Sequence, residues 1–99
     1  MSGKPFFVVI AYDVVDDSRR NRLAQTLLDF GVRVQYSVFE AIIDRKNIER
    51  MVRKVRRIIK RNEDSVRIYV LTKTTKKEII KIGVQPETEV SEVDDVLII

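Results

Sequence analysis

The sequence predicts an α+β sandwich, an antiparallel sheet with two helices on one face. Three observations carry that reading. Phe6 to Tyr12 is an unbroken apolar run rich in β-branched and aromatic residues, the signature of a strand buried on both faces. Two segments, about 17–30 and the stretch after Asn47, place apolar residues at helical spacing. Between and after them the period changes to that of strands, so the order is strand–helix–strand(s)–helix–strand. Ninety-nine residues suffice for one such unit and one core.

The elements follow in order. Asp13 ends the first strand, and Asp16, Asp17 and Ser18 offer N-cap oxygens to the first helix. Leu23, Ala24, Leu27, Leu28 and Phe30 form its apolar stripe, and Gly31 suits the position just past its end. Val32, Val34, Tyr36 and Val38 then alternate with Arg33, Gln35, Ser37 and Phe39, and apolar character continues through Ala41, Ile42 and Ile43. One long strand or two short ones with a kink near Ser37 both fit. Asn47 is the expected cap of a second helix whose stripe is Ile48, Met51, Val52, Val55, Ile58 and Ile59. A polar break at 62–64 precedes a strand over Val66–Leu71. A short strand is expected over Lys77–Ile82, ending at Gly83, and a terminal one over Val96–Ile99.

This order is that of the ferredoxin-like arrangement. Residues 1–83 form its body, and 84–99 an acidic loop and last strand of the same domain. Two helices shield one sheet face, yet the first strand is apolar on both. A second copy of the chain is the expected cover, with the last strand completing the dimer.

Composition narrows the chemistry. There is no Cys and no His, so thiol nucleophiles, disulfides, zinc knuckles and a Ser-His-Asp triad are excluded. Three glycines leave little room for a phosphate-cradling or dinucleotide loop. Any catalysis rests on Asp, Glu, Lys, Arg, Tyr, Ser or Thr, with a metal ion. No apolar run approaches a membrane span and no signal peptide is evident, so a cytoplasmic protein is expected, without a membrane partner. All 19 basic residues lie in the first 83 positions beside 10 acids, whereas the last 16 residues carry five acids and no base. A basic body suits a polyanion; equally, the acidic tail can pair with the chain's own basic surface.

Four features are candidates for function. Tyr12-Asp13 puts a carboxylate, a hard ligand suited to Mg²⁺, at a strand-to-helix loop, where it can also serve simply to end the strand. Arg19, Arg20 and Arg22 stand in the opening turns of a helix, where the macrodipole disfavours cations, so an anion or the neighbouring aspartates must offset them. Arg33, Gln35, Ser37 and Phe39 are expected to share one strand face, directed at a ligand or at the dimer partner, with interface packing the reading preferred for Phe39. Arg45 to Arg61 holds nine basic residues, among them Arg50, Arg53, Lys54 and Arg57, against the single acid Glu49. Such a face repels itself unless phosphates, a membrane surface or a partner protein lie against it.

Tyr12-Asp13, then Asp-Asp-Ser-Arg-Arg-Asn-Arg, Gly31 and Val-Gln-Tyr-Ser-Val-Phe-Glu over 34–40 together resemble the CRISPR-associated protein 2 family across essentially the whole chain. The resemblance implies a ferredoxin-like homodimer. It implies a metal-dependent endonuclease acting on single-stranded RNA or double-stranded DNA in spacer acquisition, or a non-catalytic DNA-binding scaffold of the spacer-integrating complex, with the adaptation integrase as partner. It puts the metal-binding and catalytic aspartate at Asp13, with Mg²⁺ shared across the dimer. Its arginines fall on Arg20, Arg22 and Arg33, and its serine and phenylalanine on Ser37 and Phe39.

Overall fold

The computed structural model describes residues 3–86. Strand β1 (Phe6–Asp13) leads to helix α1 (Asp17–Leu27), the hairpin of β2 (Val32–Gln35) and β3 (Val38–Ile43), helix α2 (Arg45–Ile58) and strand β4 (Ser65–Leu71). The sheet order is β2-β3-β1-β4, and every pairing is antiparallel. This is the expected ferredoxin-like sandwich.

The side-chain period of two sorts β1 between the faces. Val8, Ile10 and Tyr12 join Leu23, Ala24 and Leu27 of α1 and Ile48, Met51 and Val55 of α2 in the main core. Phe7 lies on the opposite face, buried with Ile42 under Val9, Val32, Leu71 and Ile79. Part of the cover for the helix-free face thus comes from the chain itself.

Several sequence expectations are corrected. Helix α1 stops at Leu27, not Phe30; amides of Phe30 and Gly31 then bond to the Leu27 carbonyl, and the turn drops Phe30 into the core. Gly31 is not in the left-handed conformation expected of a helix cap. A glycine is needed there because a Cβ would meet the Glu40 backbone and Ala41 of β3. The cap of α2 is Asp44 instead of Asn47, since the buried Asp44 carboxylate accepts the Asn47 amide at 3.0 Å and starts the helix sooner. The residues expected as a strand over Lys77–Ile82 begin inside a 3₁₀ helix, Lys73–Glu78. Thr72 Oγ1 bonds to the hydroxyls of Thr74 and Thr75, and the Thr75 amide returns to the Thr72 carbonyl, which turns the chain off the sheet. Val96–Ile99, expected as a last strand, lies outside the described residues.

The alternation read through 32–39 breaks at a bulge. Arg33 pairs with Phe39, but Gln35 pairs with Val38, leaving Val34 as the extra residue. A turn at Tyr36-Ser37 completes the hairpin. Arg33, Gln35, Ser37 and Phe39 therefore do not share a face. Phe39 is not placed toward a ligand or a partner: it is 1% exposed and sits in the helix-side core.

Candidate metal and nucleic-acid site

Asp13 is exposed at the last position of β1, opposite Ser65 of β4. The following loop is tightly held, because the Asp64 carboxylate gathers its ends. It accepts the Val15 amide at 3.0 Å, the Lys60 amide at 2.7 Å and the Arg19 guanidinium at 2.9 Å through Nε. Its side chain has no solvent exposure. The Arg19 bond, followed by the two amides, holds the Asp64 carboxyl well below the usual carboxylate range in spite of its desolvation. Glu63 joins through Lys60 and Arg19. Arg19 is thereby committed to structure, and this answers the question of what offsets it at the helix start. Nothing in the sequence spacing marked Asp64, which reads as one residue of a polar turn.

Asp13 lines an open cleft of ≈ 440 Å³ with Tyr12, Val14, Arg20, Tyr36 and Ser37. Four sequence candidates, Tyr12, Asp13, Arg20 and Ser37, are thus brought together. Arg20 is steered by Asp17, one turn before it, which accepts its Nη1 at 2.8 Å and raises its pKa further. Tyr12 ties the cleft wall to the hairpin: its amide donates to the Ser37 carbonyl at 3.1 Å and its hydroxyl to the Tyr36 carbonyl at 3.4 Å. Arg33 Nη2 donates to the same Tyr12 hydroxyl at 3.3 Å, and its guanidinium carbon lies 5.3 Å from the Phe39 ring centroid. Phe39 underlies the group, stacked on Tyr12 at 6.2 Å. Arg33 and Phe39 therefore support the cleft and do not line it. Tyr36, missed as a site residue because the sequence placed it in an apolar alternation, is exposed at the rim.

Arg22 is exposed on α1 and does not line the cleft. The basic residues of α2 form a separate surface. Arg50 and Lys54 cover the Phe30 ring, with their charged ends 5.3 and 5.9 Å from its centroid, whereas Arg53, Arg56 and Arg57 are exposed. Two of the four α2 candidates thus also cap the core.

The donor chemistry of the cleft fits one half of a magnesium site. Mg²⁺ takes one or two carboxylates and keeps several waters. Asp13 supplies one; among the described residues no three Asp, Glu, His or Cys side chains gather.

The family model for CRISPR associated protein Cas2 matches residues 6–79. The chain belongs to the CRISPR-associated Cas2 family. It is 42% identical over 78 residues to a Chloroflexus aurantiacus relative named a CRISPR-associated endoribonuclease Cas2, covering 79% of this chain and 84% of that one. It is 40% identical over 85 residues to a Thermus thermophilus CRISPR-associated endonuclease Cas2, covering 86% and 91%. The crystal structure of Streptococcus pyogenes Cas2 matches with a TM-score of 0.71 at 29% identity, over 78% of this chain and 99% of that one. A chain of a partial Cas6-RT-Cas1–Cas2 complex matches with a TM-score of 0.64 at 34% identity, over 78% and 90%. The match to the Cas2 family model spans β1 to Ile79 and so includes every lining residue of the Asp13 cleft. No helix among the described residues of this Cas2-family chain is long and apolar enough to cross a membrane.

Proposed function

We propose that this chain is a metal-dependent endonuclease of CRISPR spacer acquisition, hydrolysing phosphodiesters in single-stranded RNA or double-stranded DNA. The observation that carries the reading is the exposed Asp13 carboxylate, at the end of the central strand β1, sharing one cleft with Arg20 and Ser37. Two copies related by a twofold axis bring two Asp13 carboxylates to one Mg²⁺, which completes the half-site each chain offers. When bound, the ion supplies Lewis acidity toward a phosphodiester oxygen and makes a water more acidic, chemistry this His-free chain lacks. Asp13 holds the ion. Arg20, oriented by Asp17, neutralises and positions the phosphate, and the Ser37 hydroxyl adds a hydrogen bond. Arg22 and Arg33 hold neighbouring phosphates.

The dimer forms through the helix-free face. Tyr69 of β4 is 45% exposed there, and the exposed Ile80 and Ile82 add apolar surface near Val34 and Val38 of β2 and β3. Such a surface favours burial against a second copy. Relatives named endoribonuclease and endonuclease support the activity.

The test is Asp13→Asn in a metal-dependent cleavage assay on both substrates, with folding and dimerisation verified. Abolished cleavage supports the reading; undiminished cleavage by the purified variant refutes it.

A second reading is favoured by a separate observation. Arg53, Arg56 and Arg57 expose positive charge on α2 that a compact hydrolytic site does not need. In that reading the dimer is a scaffold that holds duplex DNA against the adaptation integrase, in keeping with the Cas1–Cas2 complex among its structural relatives. Spacer acquisition in cells carrying Asp13→Ala separates the two. Normal acquisition assigns the scaffold role; loss of acquisition with the complex intact assigns catalysis.

A further inference from the structure

The Asp13 cleft carries a group that holding a phosphodiester does not require. Tyr36 is 72% exposed at the turn between β2 and β3, where small polar residues and glycine are the usual occupants. Its ring is backed, not loose. The Arg33 guanidinium carbon lies 5.8 Å from its centroid, and Arg33 is itself held by the Tyr12 hydroxyl, which also bonds to the Tyr36 carbonyl. With Arg33 against one ring face, the large exposure belongs to the other.

We propose that Tyr36 is a stacking platform for an unpaired nucleobase, whose adjoining phosphate enters the cleft between Asp13, Arg20 and Ser37. The inference rests on the reading that this cleft receives nucleic acid, and it names which form of nucleic acid the cleft selects. A base inside a duplex has both faces covered by its neighbours. Only a single-stranded or splayed base has a face to lay on an aromatic ring, and because every base has such a face the contact tolerates sequence. The cleft, at ≈ 440 Å³, falls in the size range of small-ligand sites. Tyr36 thus separates two modes of binding: single strands through the cleft, and duplex phosphates through α2.

The absence of Trp from the chain makes the test direct. Tyr36→Trp keeps a stacking ring and adds the sole indole. The dimer is titrated in EDTA with oligo(U), oligo(dT) and a blunt duplex of equal length, while far-ultraviolet circular dichroism monitors the fold. Saturable quenching by the single strands and not by the duplex is expected. Quenching by oligo(U) alone assigns the platform to RNA, and quenching by both assigns it to unpaired bases of either sugar. In parallel, Tyr36→Leu should weaken single-strand binding by about tenfold while Tyr36→Phe preserves it, with duplex affinity unchanged in both. Bound single strands that leave the indole unquenched, or wild-type affinity in Tyr36→Leu, overturn the proposal. No cleavage is read, so failure of Asp13 catalysis leaves this outcome unaffected. A wild-type chain that binds no nucleic acid overturns the nucleic-acid reading and this one with it.

Discussion

Phe39→Ala separates a core residue from a surface one. Phe39 is 1% exposed, stacked on Tyr12 at 6.2 Å and covered by the Arg33 guanidinium at 5.3 Å. It belongs to the core cluster that β1 shares with both helices, so the cavity left by truncation cannot close without moving the sandwich. Phe→Ala in such a site costs about 3–5 kcal/mol, and the lost aromatic pair places Phe39 toward the upper end. With a urea slope of about 1.5 kcal/mol per molar for a domain of this size, the midpoint falls by about 2 M or more. The assay is equilibrium urea unfolding by circular dichroism at one fixed protein concentration, since the proposed dimer would make apparent stability concentration-dependent. Tyr36→Ala, three residues away but exposed, is the paired control and should stay within about 0.5 kcal/mol. If Phe39→Ala leaves the midpoint in place and instead loosens the dimer or nucleic-acid binding, Phe39 acts at a surface and the helix-side packing derived above is wrong.

Four further outcomes follow from particular residues. Gly31→Ala drives a Cβ into the Glu40 carbonyl and should destabilise by about 1–3 kcal/mol in the same unfolding assay; a neutral result contradicts the close approach of β3. The Asp64 carboxyl is held below its ordinary value of 3.8, first by Arg19, so its contribution to stability is complete above the unfolded carboxylate range and is lost as pH falls below it. Asp64→Asn should therefore be less stable at neutral pH and lose less on acidification, checked by melting temperatures across pH 2 to 7 at intervals of about one unit. Arg53→Gln with Arg57→Gln should leave the melting temperature unchanged and reduce the salt dependence of duplex binding by about two counterions, measured by anisotropy. Arg50→Gln should in addition cost stability, because it uncovers Phe30.

Most of the sandwich is legible because its signals are periodic. The apolar run 6–12 encodes a strand with apolar side chains on both faces and the stripe from Ile48 to Ile58 a helix with one buried face, and the structure returns both. What failed to show is non-periodic. The bulge at Val34 shifts Gln35, Tyr36 and Ser37 out of the expected alternation, which takes Tyr36 to the rim of the cleft, whereas Arg33 and Phe39 stay paired on one face and Phe39 is core because the helices cover that face and not the one carrying Val32. The 3₁₀ helix over Lys73–Glu78 depends on hydroxyl bonds among Thr72, Thr74 and Thr75, which compete with strand pairing and leave no repeating trace. Asp64 binds groups 49 and 45 residues away in sequence, at Val15 and Arg19, contacts that only the folded chain brings together. Asp13, Arg20 and Ser37 were legible as candidates by chemistry, but their convergence in one cleft comes from the pairing of β1 with β3, which brings the β2–β3 turn to the end of β1, and from the start of α1 just after it.

The central claim is that one ion is held by two Asp13 carboxylates from two chains, and subunit mixing tests it most directly. Wild-type and Asp13→Asn chains are mixed in varied ratio at constant total protein, exchanged to random dimers, and assayed for metal-dependent cleavage. If both carboxylates are required, activity follows the square of the wild-type fraction and falls to about a quarter at equal mixing. A linear decline, to about half at equal mixing, contradicts the shared site, and activity that does not depend on the fraction contradicts any role for Asp13.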